Sequence, residues 1–270
     1  MVSASLVLYH NRQNDIDKLL DCVLHSRIDC LYIIDHSSND KFKSLVTKSE
    51  RFRYVHTEND GYGKGHNLGF ELSQEIAPYD YHVVLNPDIY FEPEAIDTLY
   101  NYMETHKNAG MVMPKVFYPN GDFQYLCKLL PTPADIFLRQ FAPRFIRERN
   151  DNRYVLKNAD FSKEMDIPSL SGCFMFLRTS CFKQIGGFDT RYFMHFEDID
   201  LTRRIGDIAR SVYLPEVSII HAHEAAHKQN KKMLLIGLQS AIKYFNKWGW
   251  FFDSTRRKRN KETIEKYYTE

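Results

Sequence analysis

Apolar and polar residues follow one another in a strand–helix rhythm through the amino-terminal half of the chain. Short apolar runs predict four strands, at residues 4–9, 30–35, 52–57 and 81–85. Helical periodicity lies between and after them, with apolar faces at Ile16, Leu19, Leu20 and Val23 and at Ile96, Leu99, Tyr100 and Met103. This alternation predicts an α/β fold with a mostly parallel sheet that is covered by helices on both faces.

The rhythm stops between about Pro119 and Pro168, where aromatic and basic residues interleave in "FLRQFAPRFIRERNDNR". An irregular excursion of this length is typical of a functional or mobile segment. The pattern returns with a strand in "SGCFMFLRTSCF", a helix over 197–209 and a strand that ends in "SIIHAH". We therefore expect one domain over 1–227, followed by a helical tail over 228–270.

Charge is distributed unevenly along the 270 residues, although the net charge is only +1. Residues 228–270 contain 11 Lys or Arg and 4 Asp or Glu, a balance of +7, so the preceding residues total −6. A basic tail favours an anionic partner such as a membrane surface. Trp248, Trp250, Phe251 and Phe252 precede the run "RRKRNK", and this mixture suits either a helix on a membrane or aromatic packing against the domain.

Composition also bears on where the protein works. The five cysteines are odd in number and show no CxxC spacing, which favours a reducing compartment and argues against a zinc site or a disulfide framework. The first residues carry no signal-peptide pattern, and the longest aliphatic run near the end is too short to span a bilayer. We expect a cytoplasmic protein, with the inner face of the membrane as a further location.

Four glycines in "DGYGKGHNLG" follow a predicted strand and precede a predicted helix. A loop of this kind brings backbone N–H groups close to a phosphate, and the helix amino terminus adds a favourable field. The spacing matches neither the dinucleotide fingerprint nor a P-loop. A phosphate-binding loop and a plain surface turn both remain open at this point.

Three further polar groups stand where predicted elements end or begin. Asn86 and Asp88 follow the fourth strand, as two oxygen ligands for a cation or as an Asx-type turn around Pro87. Glu197, Asp198 and Asp200 open a helix, either as a general base or as ordinary stabilisers of a helix terminus. His221 and His223 lie on one side of a strand end, as ligands or as structural histidines.

Glycosyl transfer is the reaction that needs all of these groups, because it combines a pyrophosphate leaving group with a hydroxyl acceptor. No GxSxG or HExxH motif suggests another chemistry. A sugar nucleotidyltransferase would need a glycine-rich loop directly after the first strand, and "LVLYHNRQND" has none. A degenerate nucleotide-sugar-binding protein stays an alternative.

The motifs resemble, in order, those of glycosyltransferase family 2, the inverting enzymes with a GT-A fold, and most of all its rhamnosyltransferase-like branch. The matching segments are "LVLYHNR", "IIDHSSND", "ENDGYGKGHNLGF", "LNPDIYFEPEAI", "SGCFMFLRTSCFKQIGGFDTRYFMHFEDIDLTRRI" and "IIHAH". The resemblance implies a Rossmann-like sheet flanked by helices, with a nucleotide-sugar-binding half over 1–118 and an acceptor and catalytic half over 119–227.

The resemblance also implies roles for individual residues. Asp198 is the expected general base, with Glu197 as the alternative, and a divalent cation (Mg²⁺ or Mn²⁺) is expected on Asp88 and His221. The expected donor-binding residues are Tyr9, Asp35, Ser37, Asn59, Gly61, Gly65, Asn67, Asn86, Asp88 and Arg204. Asn86 departs from the acid usual in the metal-binding motif, which removes one charge.

The expected substrates follow from the same resemblance. The donor is a nucleoside-diphosphate sugar, with dTDP-rhamnose favoured over a UDP-sugar. The acceptor is a hydroxyl of a glycan or of a lipid-linked intermediate in cell-surface polysaccharide synthesis. No nucleic-acid partner is expected.

Overall fold

A nine-stranded sheet forms the centre of the computed structural model, which describes residues 1–222 and 231–268 apart from the side chains at 140 and 141. The strands are β1 (Val2–Leu8), β2 (Cys30–Asp35), β3 (Phe52–His56), β4 (Tyr81–Leu85), β5 (Ile89–Phe91), β6 (Ala109–Phe117), β7 (Cys127–Lys128), β8 (Met165–Asp166), β9 (Ser169–Leu170), β10 (Phe174–Arg178) and β11 (Arg210–His221). Their order in the sheet is β3-β2-β1-β4-β10-β6-β11-β5, with β8 paired to β11, while β7 and β9 pair separately.

Helices lie between the strands, and a 3₁₀ helix spans Lys43–Lys48. The α-helices are α1 (Gln13–His25), α2 (Tyr62–Ile76), α3 (Glu94–Thr105), α4 (Pro133–Phe141), α5 (Arg144–Tyr154), α6 (Thr179–Gln184), α7 (Glu197–Ile205), α8 (Lys231–Trp248) and α9 (Ser254–Tyr267). The predicted apolar face of α1 is fully buried. On the predicted face of α3, Ile96, Leu99 and Met103 are buried, and Tyr100 is half-buried.

The mixed α/β architecture confirms the prediction from the alternating pattern. Strands β3, β2, β1 and β4 are parallel neighbours, and every residue of β2 and β4 is buried. Continuous burial is expected for strands that helices cover on both faces. The sheet also contains antiparallel strands, since β10 runs against β4 and β6, and β5 runs against β11.

This topology gathers four chain segments at one edge of the sheet. The carboxyl ends of β2 and β4 lie at that edge because both strands are parallel to β1. Strand β10 is antiparallel to β4, with Phe174 opposite Leu85, so its amino end lies there too. Strand β11 is parallel to β6 and brings His221 to the same edge, opposite Ile89. Ligands of α/β sheets bind outside such an edge.

The segment at 119–168 holds more regular structure than the sequence pattern predicted. Helix α4 begins with a capping box, in which Thr132 and Asp135 bond each other's backbone N–H groups. Pro133 occupies the first turn, where its missing N–H costs nothing. The letters "TPAD" therefore carried a helix-start signal that the interleaved aromatic and basic residues obscured.

The predicted tail packs against the rest of the chain through a buried ion pair. Asp253, between α8 and α9, accepts bonds of 2.7 and 2.8 Å from the Arg203 guanidinium of α7. Both side chains are only 3% exposed. Asp253 also caps α9 by accepting from the Arg256 N–H at 2.9 Å. The two helices are thus joined to α7 by a bidentate contact that excludes water.

We expect Asp253→Ala to lower the free energy of unfolding by about 3–5 kcal/mol, because it leaves the buried Arg203 cation without its partner. Urea denaturation followed by circular dichroism measures the loss. The control is Asp207→Ala, which removes the half-exposed partner of Arg259 and should cost about 1 kcal/mol or less. Equal losses in the two variants would contradict a stabilising role specific to the buried pair.

Candidate active site

The glycine-rich stretch forms the amino terminus of α2 and rests on the loop that precedes α7. Gly61 has φ of 105°, and a Cβ there would lie 2.4 Å from the carbonyl oxygen of Phe193. The Tyr62 N–H donates to that same carbonyl at 2.9 Å. Asn59 accepts from the Gly61 N–H at 3.2 Å and so closes the turn. Gly61 is required both for its backbone conformation and for this close approach.

Gly65 and Gly69 lie one turn apart where α2 crosses β1. A Cβ at Gly65 would lie 2.7 Å from His36 Nε2 and 2.8 Å from Val7 Cγ2. At Gly69 it would lie 2.8 Å from Ser5 Cβ. These two positions are therefore small because the helix packs closely on the strand, and this packing holds the helix amino terminus at the sheet edge.

Asn67 and Arg204 bind the backbone of the "GGFD" turn from two different helices. The Asn67 amide accepts from the Phe188 N–H and donates to the Phe188 carbonyl, each at 2.8 Å. Arg204 donates to the carbonyls of Ile185 and Gly187, each at 2.8 Å. Both residues were predicted to bind the donor, and the bonds described here join them to the backbone of this turn.

The stretch Asn86-Pro87-Asp88 is a tight turn directly after β4. The Ile89 N–H donates to the Asn86 carbonyl at 3.3 Å, with Pro87 at the second position, where its fixed φ suits a turn. The Asn86 N–H donates to the Cys173 carbonyl at 3.0 Å, and the Asp88 carbonyl accepts from Ala222 at 2.9 Å. The turn is thus held between β10 and the end of β11.

His221 faces Asp88 with one ring nitrogen and Gln124 with the other. Its Nε2 lies 3.5 Å from Asp88 Oδ1, and its Nδ1 lies 3.0 Å from Gln124 Oε1. The Gln124 amide nitrogen donates to the His221 carbonyl at 2.7 Å, which fixes the amide with its oxygen toward the ring. His221 therefore donates from Nδ1, and in the neutral ring Nε2 presents a lone pair toward the Asp88 carboxylate.

A carboxylate and an imidazole lone pair directed at each other form an arrangement that a cation between them stabilises. Among residues 1–222 and 231–268, no group of three or more His, Cys, Asp or Glu side chains could hold a metal ion. Asp88 and His221 could serve as two ligands of a divalent cation whose further ligands are diphosphate oxygens. His223 lies outside the described residues.

Tyr62 connects the donor side of the edge to the acidic helix start. Its hydroxyl lies 2.7 Å from the Gly172 carbonyl oxygen and 3.0 Å from Asn86 Oδ1. The Gly172 N–H donates to Asp198 Oδ2 at 3.1 Å. Gly172 therefore connects α2 to α7 through the two peptide groups on either side of it, and Tyr62 extends this connection to Asn86. Burial first, and then the negative charge of Glu197, raises the pKa of Tyr62 well above its usual value.

The two acids at the start of α7 have different surroundings. Asp198 is half-buried, and its oxygens accept from the N–H groups of Gly172 and Ile199 at 3.1 and 2.8 Å, which hold the carboxylate in one orientation. Glu197 is buried, and its Oε2 has no hydrogen-bond partner. Burial, followed by the charge of Asp198, raises the pKa of Glu197 to about 8. A carboxyl group with this pKa is mostly protonated at neutral pH.

Backbone strain accompanies these acids. His195 and Phe196 both lie in the left-handed region, with φ of 68° and 67°, and neither is a glycine. Two such residues in succession cost free energy that the surrounding structure must supply, and strain of this kind concentrates at functional sites. Here it turns the chain so that α7 begins with Glu197 and Asp198.

Asp200, the third acid, is fully buried and paired with groups from two helices. Its carboxylate accepts from Arg204 Nε and Trp248 Nε1 at 2.7 Å and from Lys247 Nζ at 2.6 Å. This side chain orders the start of α7 and joins it to α8.

The side chains expected to contact the nucleoside lie after β1 and β2. Tyr9 is exposed beside His10. Asp35 is fully buried, and its two oxygens accept from the Ser37 N–H at 2.9 Å and the Tyr54 hydroxyl at 2.8 Å. Ser37 Oγ accepts from the His10 N–H at 3.0 Å. Asp35 thus shapes this corner through Ser37 and Tyr54.

Three residues of the site were not selected from the sequence: Tyr62, Gln124 and Gly172. Tyr62 lies inside the glycine-rich stretch, where attention to the glycines concealed it. Gln124 belongs to the segment that showed no periodicity. Gly172 precedes a strand, and its lack of a side chain is needed because a Cβ would lie 3.1 Å from Asp198 Cβ.

We expect Glu197→Gln to stabilise the folded protein at pH 8 and to have no such effect near pH 4. The carboxyl ionises near 4.5 in the unfolded chain and near 8 in the folded protein. The folded protein therefore holds an extra proton between these values, and the wild-type free energy of unfolding falls as pH rises through this window. Melting curves across this range should show a gain on the order of 5 °C at pH 8. Parallel curves for both proteins would contradict the raised pKa.

Comparisons with known proteins agree with this geometry. The family model described as Glycosyl transferase family 2 matches residues 6–186. N-acetylglucosaminyl-diphospho-decaprenol L-rhamnosyltransferase of Mycobacterium tuberculosis (strain ATCC 25618 / H37Rv) is 30% identical over 225 residues, which cover 75% of this chain and 73% of the relative. Rhamnosyltransferase WbbL of Escherichia coli (strain K12) is 28% identical over 236 residues, 84% of each chain.

A solved structure described as GalNAc-T7 with UDP, GalNAc and Mn²⁺ superposes with a TM-score of 0.66. The match covers 92% of this chain and 48% of the GalNAc-T7 chain, at 11% identity, so the likeness concerns the fold.

In the part of the chain that the structure describes, no helix has both the length and the apolar character needed to cross a bilayer. The family match covers well over half of the chain, and the resemblance drawn from the motifs is confirmed: the chain belongs to glycosyltransferase family 2 and is a glycosyltransferase with a GT-A fold.

Proposed function

We propose that the protein transfers rhamnose from dTDP-rhamnose to a hydroxyl of a lipid-linked glycan acceptor, with inversion at the anomeric carbon. The observation that carries this proposal is Gly172, whose N–H donates to the Asp198 carboxylate at 3.1 Å and whose carbonyl accepts from the Tyr62 hydroxyl at 2.7 Å. One fixed unit thus joins a candidate base to the candidate diphosphate site. The two rhamnosyltransferase relatives support the choice of sugar, and the decaprenol-linked substrate named for one of them supports the acceptor.

The nucleoside end of the donor is assigned to the corner beyond β1 and β2. Tyr9 offers an exposed ring, and Asp35 and Ser37 shape the floor of that corner. The diphosphate then passes the amino terminus of α2, where Asn59, Gly61 and Gly65 hold the helix at the sheet edge. Asn67 and Arg204 act behind this surface as positioning residues.

The leaving diphosphate is assigned to Asp88 and His221. A divalent cation held there would act as a Lewis acid on the departing phosphate oxygens. The charge on Asp88 and the lone pair on His221 Nε2 are the groups suited to hold it, because Gln124 fixes the ring with Nδ1 as the donor. A UDP-sugar would present the same diphosphate, so this part of the site does not distinguish uracil from thymine in the donor.

Asn86 is assigned as a neutral oxygen group beside the cation. The Tyr62 hydroxyl has one proton and faces both the Gly172 carbonyl and the Asn86 amide. The Gly172 carbonyl can only accept, so the Tyr62 hydroxyl donates its proton there. The Asn86 amide then bonds the same hydroxyl oxygen by donating from its N–H₂ group. The Asn86 oxygen is then directed away from Tyr62, toward the side where an acid would have acted.

Asp198 is assigned as the general base. The acceptor oxygen forms the new bond to the anomeric carbon while its proton passes to Asp198, and the bond to the nucleoside diphosphate breaks with its electron pair. The single displacement inverts the configuration. Glu197 is protonated at neutral pH and so keeps a second negative charge out of the space beside Asp198.

We expect Asp198→Asn to lower the rate of transfer from dTDP-rhamnose by about 10²–10⁴-fold while the affinity for the nucleotide sugar is retained, because the amide cannot take up the proton. Its nitrogen also replaces one of the two Asp198 oxygens that accept backbone N–H groups. Product formation on a lipid-linked acceptor measures the rate, and calorimetry measures the affinity. UDP- and GDP-sugars assayed in parallel test the choice of donor.

Glu197→Gln is the matched control for that experiment, since an amide replaces a group that is already neutral near pH 7. It should keep most of the activity. A fully active Asp198→Asn, or a Glu197→Gln variant that is the more impaired of the two, would contradict the assignment of the base. A product that retains the donor's anomeric configuration would contradict inversion.

We expect Asp88→Ala to remove the part of the nucleotide affinity that depends on Mn²⁺ or Mg²⁺, because it removes the charged ligand at the turn. Calorimetric titration of dTDP with and without Mn²⁺ measures this difference directly. Asp21→Ala removes an exposed carboxylate on α1 and serves as the control. Wild-type nucleotide affinity that is the same with and without the cation would overturn the metal assignment.

A further inference from the structure

Helix α8 carries an exposed aliphatic surface beside its packed face. Ser240, Ala241, Tyr244 and Phe245 are buried against the domain. The neighbouring side of the helix carries what we name the α8 stripe: Leu234, Leu235, Leu238 and Ile242, which are 40–59% exposed. At 3.6 residues per turn these four side chains cover an arc of about 100°. A stripe of this width is normally buried against a partner.

Further exposed apolar side chains lie near the same helix. Phe137 on α4 is 61% exposed, and α4 lies close to α8 because Ile136 packs into the cluster formed with Ala241, Tyr244 and Phe245. Directly after α8, Phe251 and Phe252 are 71% and 90% exposed. Soluble monomers rarely leave so much apolar surface in one region without a function for it.

The charged side chains of α8 are all basic. The helix contains four lysines and no acidic residue. Lys247 donates to Asp189 and Asp200, and Lys243 donates to the Arg191 carbonyl. Lys231 and Lys232 are exposed at the amino end, next to Leu234 and Leu235. An aliphatic stripe with cations beside it matches a bilayer that contains anionic lipid, since the acyl region takes the leucines and the headgroups take the charge.

The same helix holds the loop that leads into the catalytic acids. Ser240 Oγ donates to the Met194 carbonyl at 2.8 Å, and a Cβ at Gly237 would lie 3.6 Å from the His195 ring. Phe196 packs against Tyr244 and Phe245. A membrane bound at the α8 stripe would therefore lie on the helix that supports Glu197 and Asp198.

We propose that the α8 stripe, with Lys231 and Lys232, is the surface by which this protein docks on an anionic membrane. The inference deepens the proposed function, because a lipid-linked acceptor would then present its hydroxyl next to the loop at 191–196. Docking itself is independent of the sugar that is transferred.

The basic run after Phe252 is less suited to this task than its composition suggested. Arg256 is buried and donates to the carbonyls of Gly249 and Trp250 at 3.2 and 3.0 Å. Arg259 donates to the Arg203 carbonyl and to Asp207. These two cations hold α9 in place, and the remaining exposed cations, Arg257, Lys258 and Lys261, provide the comparison for the test.

The test is flotation of the full chain with phosphatidylcholine vesicles, with and without phosphatidylglycerol. The triple variant Leu235→Gln, Leu238→Gln and Ile242→Gln should lower partitioning onto the anionic vesicles by about tenfold or more. The matched variant Arg257→Gln, Lys258→Gln and Lys261→Gln should lower it by less than about threefold. Lys231→Gln with Lys232→Gln should weaken binding only to anionic vesicles, and added salt should weaken wild-type binding in the same way.

Circular dichroism and calorimetric binding of dTDP show that each variant is folded. Absence of wild-type binding to anionic vesicles would overturn the proposal, as would equal losses in the α8 and α9 variants. Concentration-dependent self-association that the α8 variant abolishes would identify a second copy of the chain as the partner and would also overturn it. Wild-type vesicle binding without rhamnose transfer would leave docking intact and contradict the proposed function instead.

Discussion

The backbone of Gly172 is the constraint on which the arrangement of the site depends. Its N–H donates to Asp198, and its carbonyl accepts from Tyr62, which also reaches Asn86. Asp198 belongs to α7, which is far along the chain from the consecutive elements α2 and β4. The antiparallel direction of β10 is what places Gly172 at the carboxyl edge of the parallel strands. One strand that reverses direction therefore brings the candidate base to the candidate nucleotide-binding edge.

A base at a helix start needs a framework that resists both strain and charge. His195 and Phe196 hold left-handed backbone conformations, and Glu197 is buried without a partner for Oε2. These costs are offset one turn further along α7, where Asp200 is bonded to Arg204, Lys247 and Trp248. The buried pair of Arg203 with Asp253 adds a second connection. The carboxyl-terminal helices thus stabilise an active-site element that would be strained alone.

Periodicity was sufficient to predict β1 to β4, β10, β11, the buried face of α1 and the edge at which the polar motifs meet, because burial dictates those positions locally. It did not predict β6, a nine-residue strand between β10 and β11. Periodicity does not show which motif residues would contact a ligand and which hold neighbouring parts of the chain in place. Gly65, Asn67 and Arg204 lie in recognisable motifs, yet the structure shows them packing on β1 or bonding the "GGFD" backbone. Whether a polar side chain reaches a ligand or a neighbouring carbonyl depends on tertiary distances that spacing does not encode. Tyr62 is the opposite case: no motif pointed to it, and its place in the site is evident only from its hydrogen bonds to Gly172 and Asn86.

The tail shows why charge and aromatic content were a weaker guide than the position of each side chain. The sequence left open whether the aromatic and basic run after Asn246 lies on a membrane or whether its aromatic residues pack against the domain. In the structure, Trp248 bonds Asp200 and Arg256 bonds backbone carbonyls, so part of that run is internal. The exposed aliphatic surface lies earlier, on α8, where "MLLIGL" is too short to span a bilayer but long enough to lie on one. Because α8 also packs on the loop that ends at Glu197, attachment to a surface and the orientation of the acids depend on the same helix.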